Sequence, residues 1–320
     1  MNTFATINPA YNQTFRPNRL SLGVISPLES YAVGALPNLE QHLQRVQQAE
    51  QLGFAAIWLR DIILNVPSFG DTGQGFDPFV YLGFLAAHTQ RIALGVGSII
   101  LPLRHPAHVA KAAASVDALS GGRLLLGIAS GDRPEEYPAL KQDFANRSAA
   151  FRHSYAYIRH MGEPTPRFDN AWGQLNGELD MLPKPHAARL PLLITGASQQ
   201  APAWVAENGD GWITYPRAIA TQERIIHDWR SRIAAAGLAN KPAMQSLYID
   251  LQDDPNAPAR PIHLGFSSGI NALRHYLKQL EGIGINHVAL NLRFNQAETG
   301  ATLERLAAEL LPDFPTLPND

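Results

Sequence analysis

The stretch that decides the fold runs from Ile92 to Gly131 and reads IALGVGSIILPLRHPAHVAKAAASVDALSGGRLLLGIASG. Its two ends, Ile92–Gly97 and Leu124–Ala129, are apolar runs with the length of buried strands. Between them His105–Pro106 opens a helix, Ala107–Leu119, with proline at a first-turn position where no N–H is missed. Gly121–Gly122 ends that helix by supplying the positive-φ positions a helix terminus favours. Strand, helix and strand in this order make a βαβ unit, the building block of a parallel sheet.

The same alternation continues on both sides. Further strand readings are Leu22–Ile25, Ala55–Leu59, Leu192–Thr195, Gly211–Thr214, Leu247–Leu251 and Val288–Leu292. Helical patterns fall at Leu39–Leu52, Phe79–Thr89, Phe151–Met161, Ala201–Asn208, Thr221–Ala236 and Asn271–Ile283. Eight strands, each followed by a helix, is the count for a closed (β/α)8 TIM barrel of the α/β class. The chain reads as a single domain over 1–320, with an N-terminal extension at 1–19 and a C-terminal tail at 294–320 that holds a last helix, Ala301–Leu311. Two stretches break the alternation. Gly162–Leu190 reads as an excursion between strands four and five, and the proline-rich 252–262 as a loop on the catalytic rim.

The 320 residues are 45% hydrophobic, enough for a sizeable core. Charged residues make up 17%, and a net charge of −2 with both signs scattered leaves no basic block for nucleic acid or an anionic membrane. The longest apolar run, Ile92–Leu101, is too short and glycine-rich to span a bilayer. No basic segment followed by an apolar one opens the chain, so a cytoplasmic location is expected. The absence of cysteine excludes disulfides, thiolate metal sites and cysteine nucleophiles.

A parallel barrel carries its site at the C-terminal ends of the strands. The residues there are Ser26, Arg60–Asp61, Gly97–Ser98, Ser130–Gly131, Gly196–Ala197–Ser198, Tyr215 and Asn291–Arg293. Gly196, Ala197 and Ser198 precede a helix starting near Ala201, so they form either an anion cradle or an ordinary strand-to-helix turn. Gly97 permits either close strand packing or close approach of a ligand. His105 and His108 stand three apart with no third ligand, so no metal site is expected. GVGSII is not a dinucleotide fingerprint, because Ile100 replaces its last glycine. Lys111 and Asp117 read as helix-surface or interface residues, and Trp58, Trp172, Trp204 and Trp212 as core or barrel wall.

The segments GSIILPLRHP at 97–106, SGGR at 120–123 and LGIASG at 126–131 resemble those of the bacterial luciferase-like flavin monooxygenases. LLITGASQQAPAWVAENGDGW at 192–212 is similar to the phosphate-cradling strand–turn–helix of that family, and GFAAIWLRD at 53–61 to its second strand. The resemblance implies FMN bound by Asp61, Gly97, Ser98, Ser130, Arg147, Thr195, Gly196, Ala197 and Ser198. It places the phosphate on Gly196–Ser198 with Arg147 completing the cradle, and a non-prolyl cis peptide at Gly97–Ser98 against the flavin. Ile62 stands where bacterial luciferase has a catalytically important histidine, so no catalytic acid or base carries over.

The reaction implied is two-component monooxygenation: a separate flavin reductase supplies FMNH2, and O2 oxygenates a small organic substrate. Two alternatives are coenzyme F420-dependent hydride transfer and non-catalytic flavin binding. Family members pair as homodimers through helices that here are Phe79–Thr89 and Ala107–Leu119, with Ala107, Ala110, Ala112, Ala113 and Ala114 allowing close approach. The loops Val66–Asp77, Arg167–Lys184 and Asp253–Phe266 would line the substrate space.

Overall fold

The computed structural model describes residues 3–31, 35–69 and 75–316, so 70–74 of the rim loop Val66–Asp77 lie outside the described residues. A short helix, α1 (Pro9–Thr14), precedes the first strand, β1 (Ser21–Ile25). Then follow α2 (His42–Leu52), β2 (Ala56–Leu59), α3 (Pro78–His88), β3 (Ala93–Ile100), α4 (Pro106–Leu119) and β4 (Leu124–Ala129). The short α5 (Glu136–Ala139) and longer α6 (Arg147–Met161) lead into a hairpin, β5 (Arg167–Asn170) and β6 (Gly173–Asn176). The barrel resumes with β7 (Leu192–Thr195), α7 (Pro202–Asn208), β8 (Gly211–Thr214), α8 (Ile219–Ala235) and β9 (Ala243–Leu251). A second hairpin, β10 (Arg260–Ile262) and β11 (Gly265–Ser268), precedes α9 (Ile270–Gly282), β12 (His287–Asn291) and α10 (Thr299–Leu310).

Eight parallel strands close the barrel in the order β1, β2, β3, β4, β7, β8, β9, β12, with β12 paired back to β1. Each expected strand is present. β9 begins four residues before the expected Leu247, because its first half pairs with β8 and β12 while its second half pairs with β11. The hairpin β10–β11 therefore extends the sheet above the rim, where the sequence suggested only a loop. The excursion between β4 and β7 likewise contains the β5–β6 hairpin. Its strands are half exposed or exposed and pair only with each other. Only Phe168 and Leu175 turn toward the core, too few to write an apolar alternation into the two short strands.

Alternate strand residues face outward into the helical layer, as Leu22, Val24, Ile57 and Leu59 do, or inward. The inward set combines small residues such as Ala56, Ala93 and Ala289 with Trp58, Leu125 and Leu193. Space inside a closed barrel is fixed, so large rings need glycine opposite them. A Cβ at Gly95 would lie 2.5 Å from the Trp58 ring, and one at Gly23 only 2.7 Å from His287 Nε2.

The N-terminal extension is more than a polar arm. Ile7, Ala10, Tyr11 and Phe15 join the inward-facing cluster and plug the barrel end opposite the site. Asn8 caps α1 by accepting from Tyr11 N at 2.9 Å and donates to Asp117 Oδ1 at 3.0 Å and Leu124 O at 2.8 Å. Asp117 is thus a fully buried anchor rather than a surface or interface residue, and it also accepts from His186 N at 2.9 Å. Gly121 and Gly122 do take positive φ, +68° and +84°.

Candidate functional site

The strand ends open into a cavity of about 760 Å³, inside the range of roughly 300–1,000 Å³ typical of ligand sites. Trp58, Ile213, Met244 and Ala289 make its apolar floor. The Trp58 indole donates to His287 Nε2 at 2.9 Å. Ser21 Oγ donates to Thr14 O at 2.7 Å, so His287 Nδ1 carries the ring proton and donates to Ser21 Oγ at 2.7 Å. Burial pushes the His287 imidazole down to about 3, and the ring stays neutral.

Against this floor the Gly97–Ser98 peptide is cis, as the resemblance implies. The β3–β4 register shifts between Val96 and Ile99. Gly127 on the neighbouring strand makes room for this path, since a Cβ there would meet Val96 O at 2.3 Å. The hydroxyls of Ser98 and Thr195 are hydrogen-bonded across the floor.

The turn after β7 is held from several sides. Gly196 N donates to Ile213 O at 2.8 Å, and the Trp212 indole donates to Gly196 O at 2.8 Å. Ser198 Oγ donates to Thr195 O at 2.8 Å, and Gln200 N to Ala197 O at 2.8 Å. Gly196, Ser198 and Gln199 all take left-handed φ, between +45° and +59°. The N–H groups of Ala197, Ser198 and Gln199 find no acceptor among the described residues. Successive free N–H groups in such a turn form a concave anion site.

Of the nine residues the resemblance singles out, eight line the cavity: Asp61, Gly97, Ser98, Ser130, Thr195, Gly196, Ala197 and Ser198. Arg147 does not. Its guanidinium lies 3.7 Å above the Phe144 ring, donates to Phe144 O at 2.7 Å, and keeps a buried Nε without an acceptor. The adjacent Ser148 donates to Gln199 O at 2.9 Å, so the first turn of α6 touches the anion turn from outside. Asp61 reaches the wall with its oxygens already engaged. They accept from Arg104 Nη2 at 2.7 Å, Arg104 Nε at 3.1 Å and Ile100 N at 3.0 Å.

Other lining residues carry chemistry the sequence did not assign. Arg133 comes from the loop after β4, Tyr248 from β9, and His263 and Leu264 from the β10–β11 turn. Arg60 and Arg293, noted only as strand-end residues, also face the cavity. Burial, then the nearby charges of Arg133 and Arg293, hold the Arg60 guanidinium below its ordinary value, although Tyr248 and Tyr31 oppose this. Among the described residues no three His, Cys, Asp or Glu side chains are placed to hold a metal. No described helix is long and apolar enough to cross a membrane.

The family model described as luciferase-like monooxygenase matches residues 20–307. The chain belongs to this family. It is 33% identical over 170 residues to the oxygenase component of the flavin-dependent trigonelline monooxygenase of Acinetobacter baylyi, covering 52% of this chain and 42% of that protein. It is 27% identical over 228 residues to the F420-dependent hydroxymycolic acid dehydrogenase of Mycobacterium tuberculosis, covering 70% and 60%. Its matches to curated relatives span 42% to 66% of their lengths. Among solved structures, the monooxygenase RslO1 from Streptomyces bottropensis shares the fold with a TM-score of 0.76 and 18% identity, over 92% of this chain and 99% of that one. Both flavin- and F420-dependent proteins are among these relatives.

Proposed function

We propose that the chain is the oxygenase of a two-component flavin monooxygenase, taking FMNH2 from a separate reductase. The observation that carries this reading is the set of three N–H groups at Ala197, Ser198 and Gln199, opening into a cavity floored by Trp58 and Gly97–Ser98. These N–H groups fit a phosphate of about −1.5 to −2 charge, and Arg147, whose Nε has no acceptor, adjoins Ser148, which holds the turn from outside. Reduced flavin, when bound, supplies the electrons that activate O2 for insertion into the substrate.

The protein's own part is binding, orientation and exclusion of water. The small residues at 97–98 allow a flat ring to approach the backbone. Ile213, Met244 and Ala289 keep the floor dry, which strengthens every polar contact made above it. Asp61 and Arg104 hold the end of β3 through Ile100 N. Ile62 supplies no proton, so the role of the luciferase histidine does not carry over to this position.

The F420-dependent relative supports a second reading, hydride transfer on the same barrel, and the same turn would take a phosphate of that cofactor too. One experiment separates the readings. The purified chain with FMN and NADPH alone should oxidise NADPH slowly, and added unrelated flavin reductase should support oxygen uptake with product formation. Rapid NADPH oxidation by the isolated chain would overturn the two-component reading. Tight binding of F420 with weak binding of FMN would move the chain to the second. A homodimer is part of the proposal, supported by Val80 and Phe84 on α3, 73% and 40% exposed. Ala110, Ala113 and Ala114 do not contribute to it. They are buried where α4 packs on its own barrel.

A further inference from the structure

The cavity has a second cluster of charged side chains, on the β1 side of the barrel. In the strand ring β7 stands four places from β1, on the opposite side of the barrel. The strands flanking β1 are β12 and β2, and each is followed within two residues by an arginine that lines the cavity, Arg293 and Arg60. Arg133 lines it too, and acts electrostatically on Arg60 as Arg293 does.

Arg293 and Arg133 are buried and set against aromatic rings. Arg293 lies 4.7 Å from the Tyr31 ring centre and 5.3 Å from that of Phe294, and Arg133 lies 4.6 Å from that of Phe69. All three arginines also have further partners within the protein. Among the described lining residues the acids are Asp61, committed to Arg104 and Ile100 N, and Asp132, and the buried Glu136 behind them feels the charge of Arg133. Beside the arginines, Tyr248, Phe294 and His263 form an aromatic group with ring centres 5.3 to 6.4 Å apart.

Guanidinium groups recognise carboxylates through paired hydrogen bonds, and packed aromatic rings favour a flat apolar body. We infer that the substrate is a small aromatic carboxylate, with Arg60 and Arg293 as specificity-determining residues and Arg133 assisting. Assigning this wall to substrate rests on the flavin reading, which gives the opposite turn to the cofactor. The preference for an anion does not.

The test uses benzoate and benzamide, which share a shape and differ in charge. Binding is followed by calorimetry on the full chain, with and without FMN. Benzoate should bind about tenfold or more tightly than benzamide at low salt, the margin expected of a charge-assisted pair. Arg293→Met should abolish that preference and Arg293→Lys keep part of it, with FMN affinity unchanged in both. Inorganic phosphate should displace FMN without displacing benzoate.

Equal binding of the two probes, no binding of benzoate, or competition between benzoate and FMN would overturn the inference. So would an undiminished preference in Arg293→Met. If that variant does not fold, Arg133→Met and the wild-type comparison decide. A benzoate preference in a chain that binds no FMN would sink the flavin reading and the assignment of the wall to substrate while leaving the anion preference standing, and FMN binding without the preference would sink this inference alone.

Discussion

Asp61 sits at the cavity wall, but its carboxylate is already occupied. Its side chain is fully buried, and Arg104 and Ile100 N take both oxygens. Removing one partner of a buried pair leaves the other uncompensated, so Asp61→Ala should lower unfolding stability by about 3 kcal/mol in urea titrations. The FMN affinity of the folded variant should change little, and a large loss of affinity without a loss of stability would return Asp61 to the cofactor. Arg147 presents the opposite case, since it stands outside the wall with a spare donor. Arg147→Ala should weaken FMN by about 1.5–3 kcal/mol, the range for a charged hydrogen bond, and leave riboflavin almost unaffected. Equal weakening of both flavins would remove the phosphate role. The residues at 97–98, 130 and 195–198 were legible because small polar side chains at strand ends stand out. The loop Asp253–Phe266 was expected at the substrate space, and His263 and Leu264 from it do line the cavity. The hairpin that carries them was not legible, because β11 pairing with β9 leaves no local mark in the sequence.

At the scale of elements, the eight barrel strands were legible because each is a short buried run between turn residues. The two hairpins and α1 were not. β5 and β6 each set a single apolar side chain, Phe168 and Leu175, against the core, and α1 is a short segment whose burial comes only from filling the barrel end. The interior network it covers makes a testable pH dependence. His287 falls from an ordinary 6.5 to about 3 on folding. Below pH 6.5 the unfolded chain gains a proton that the folded chain refuses. Stability is therefore complete above that pH and is lost as pH falls toward about 3. For one proton the loss is up to about 1.4 kcal/mol per pH unit. His287→Gln should remove this slope, so the stability gap between wild type and variant should narrow by about 1.6 kcal/mol from pH 6.5 to 5. An unchanged gap would mean that His287 titrates alike in the folded and unfolded chain, and a widened gap that it is held protonated in the fold.

At the scale of the molecule, the two barrel ends divide the work. One is closed by Tyr11 and Phe15, and the other holds the small residues, the arginines and the free N–H groups. The outer surface carries Val80 and Phe84 one helical turn apart on α3, and this apolar pair should lie in a homodimer interface. Val80→Lys with Phe84→Lys should convert a dimer into a monomer at micromolar concentration in sedimentation. A wild-type monomer there would refute the pairing. The central claim is that the β7–α7 turn holds the phosphate of FMN, leaving the arginine wall to the substrate. A crystal structure with FMN bound measures this most directly. The phosphate should lie within hydrogen-bonding reach of Ala197, Ser198 and Gln199 N, with the ring against Gly97–Ser98. A phosphate seated instead among Arg60, Arg133 and Arg293 would contradict the account.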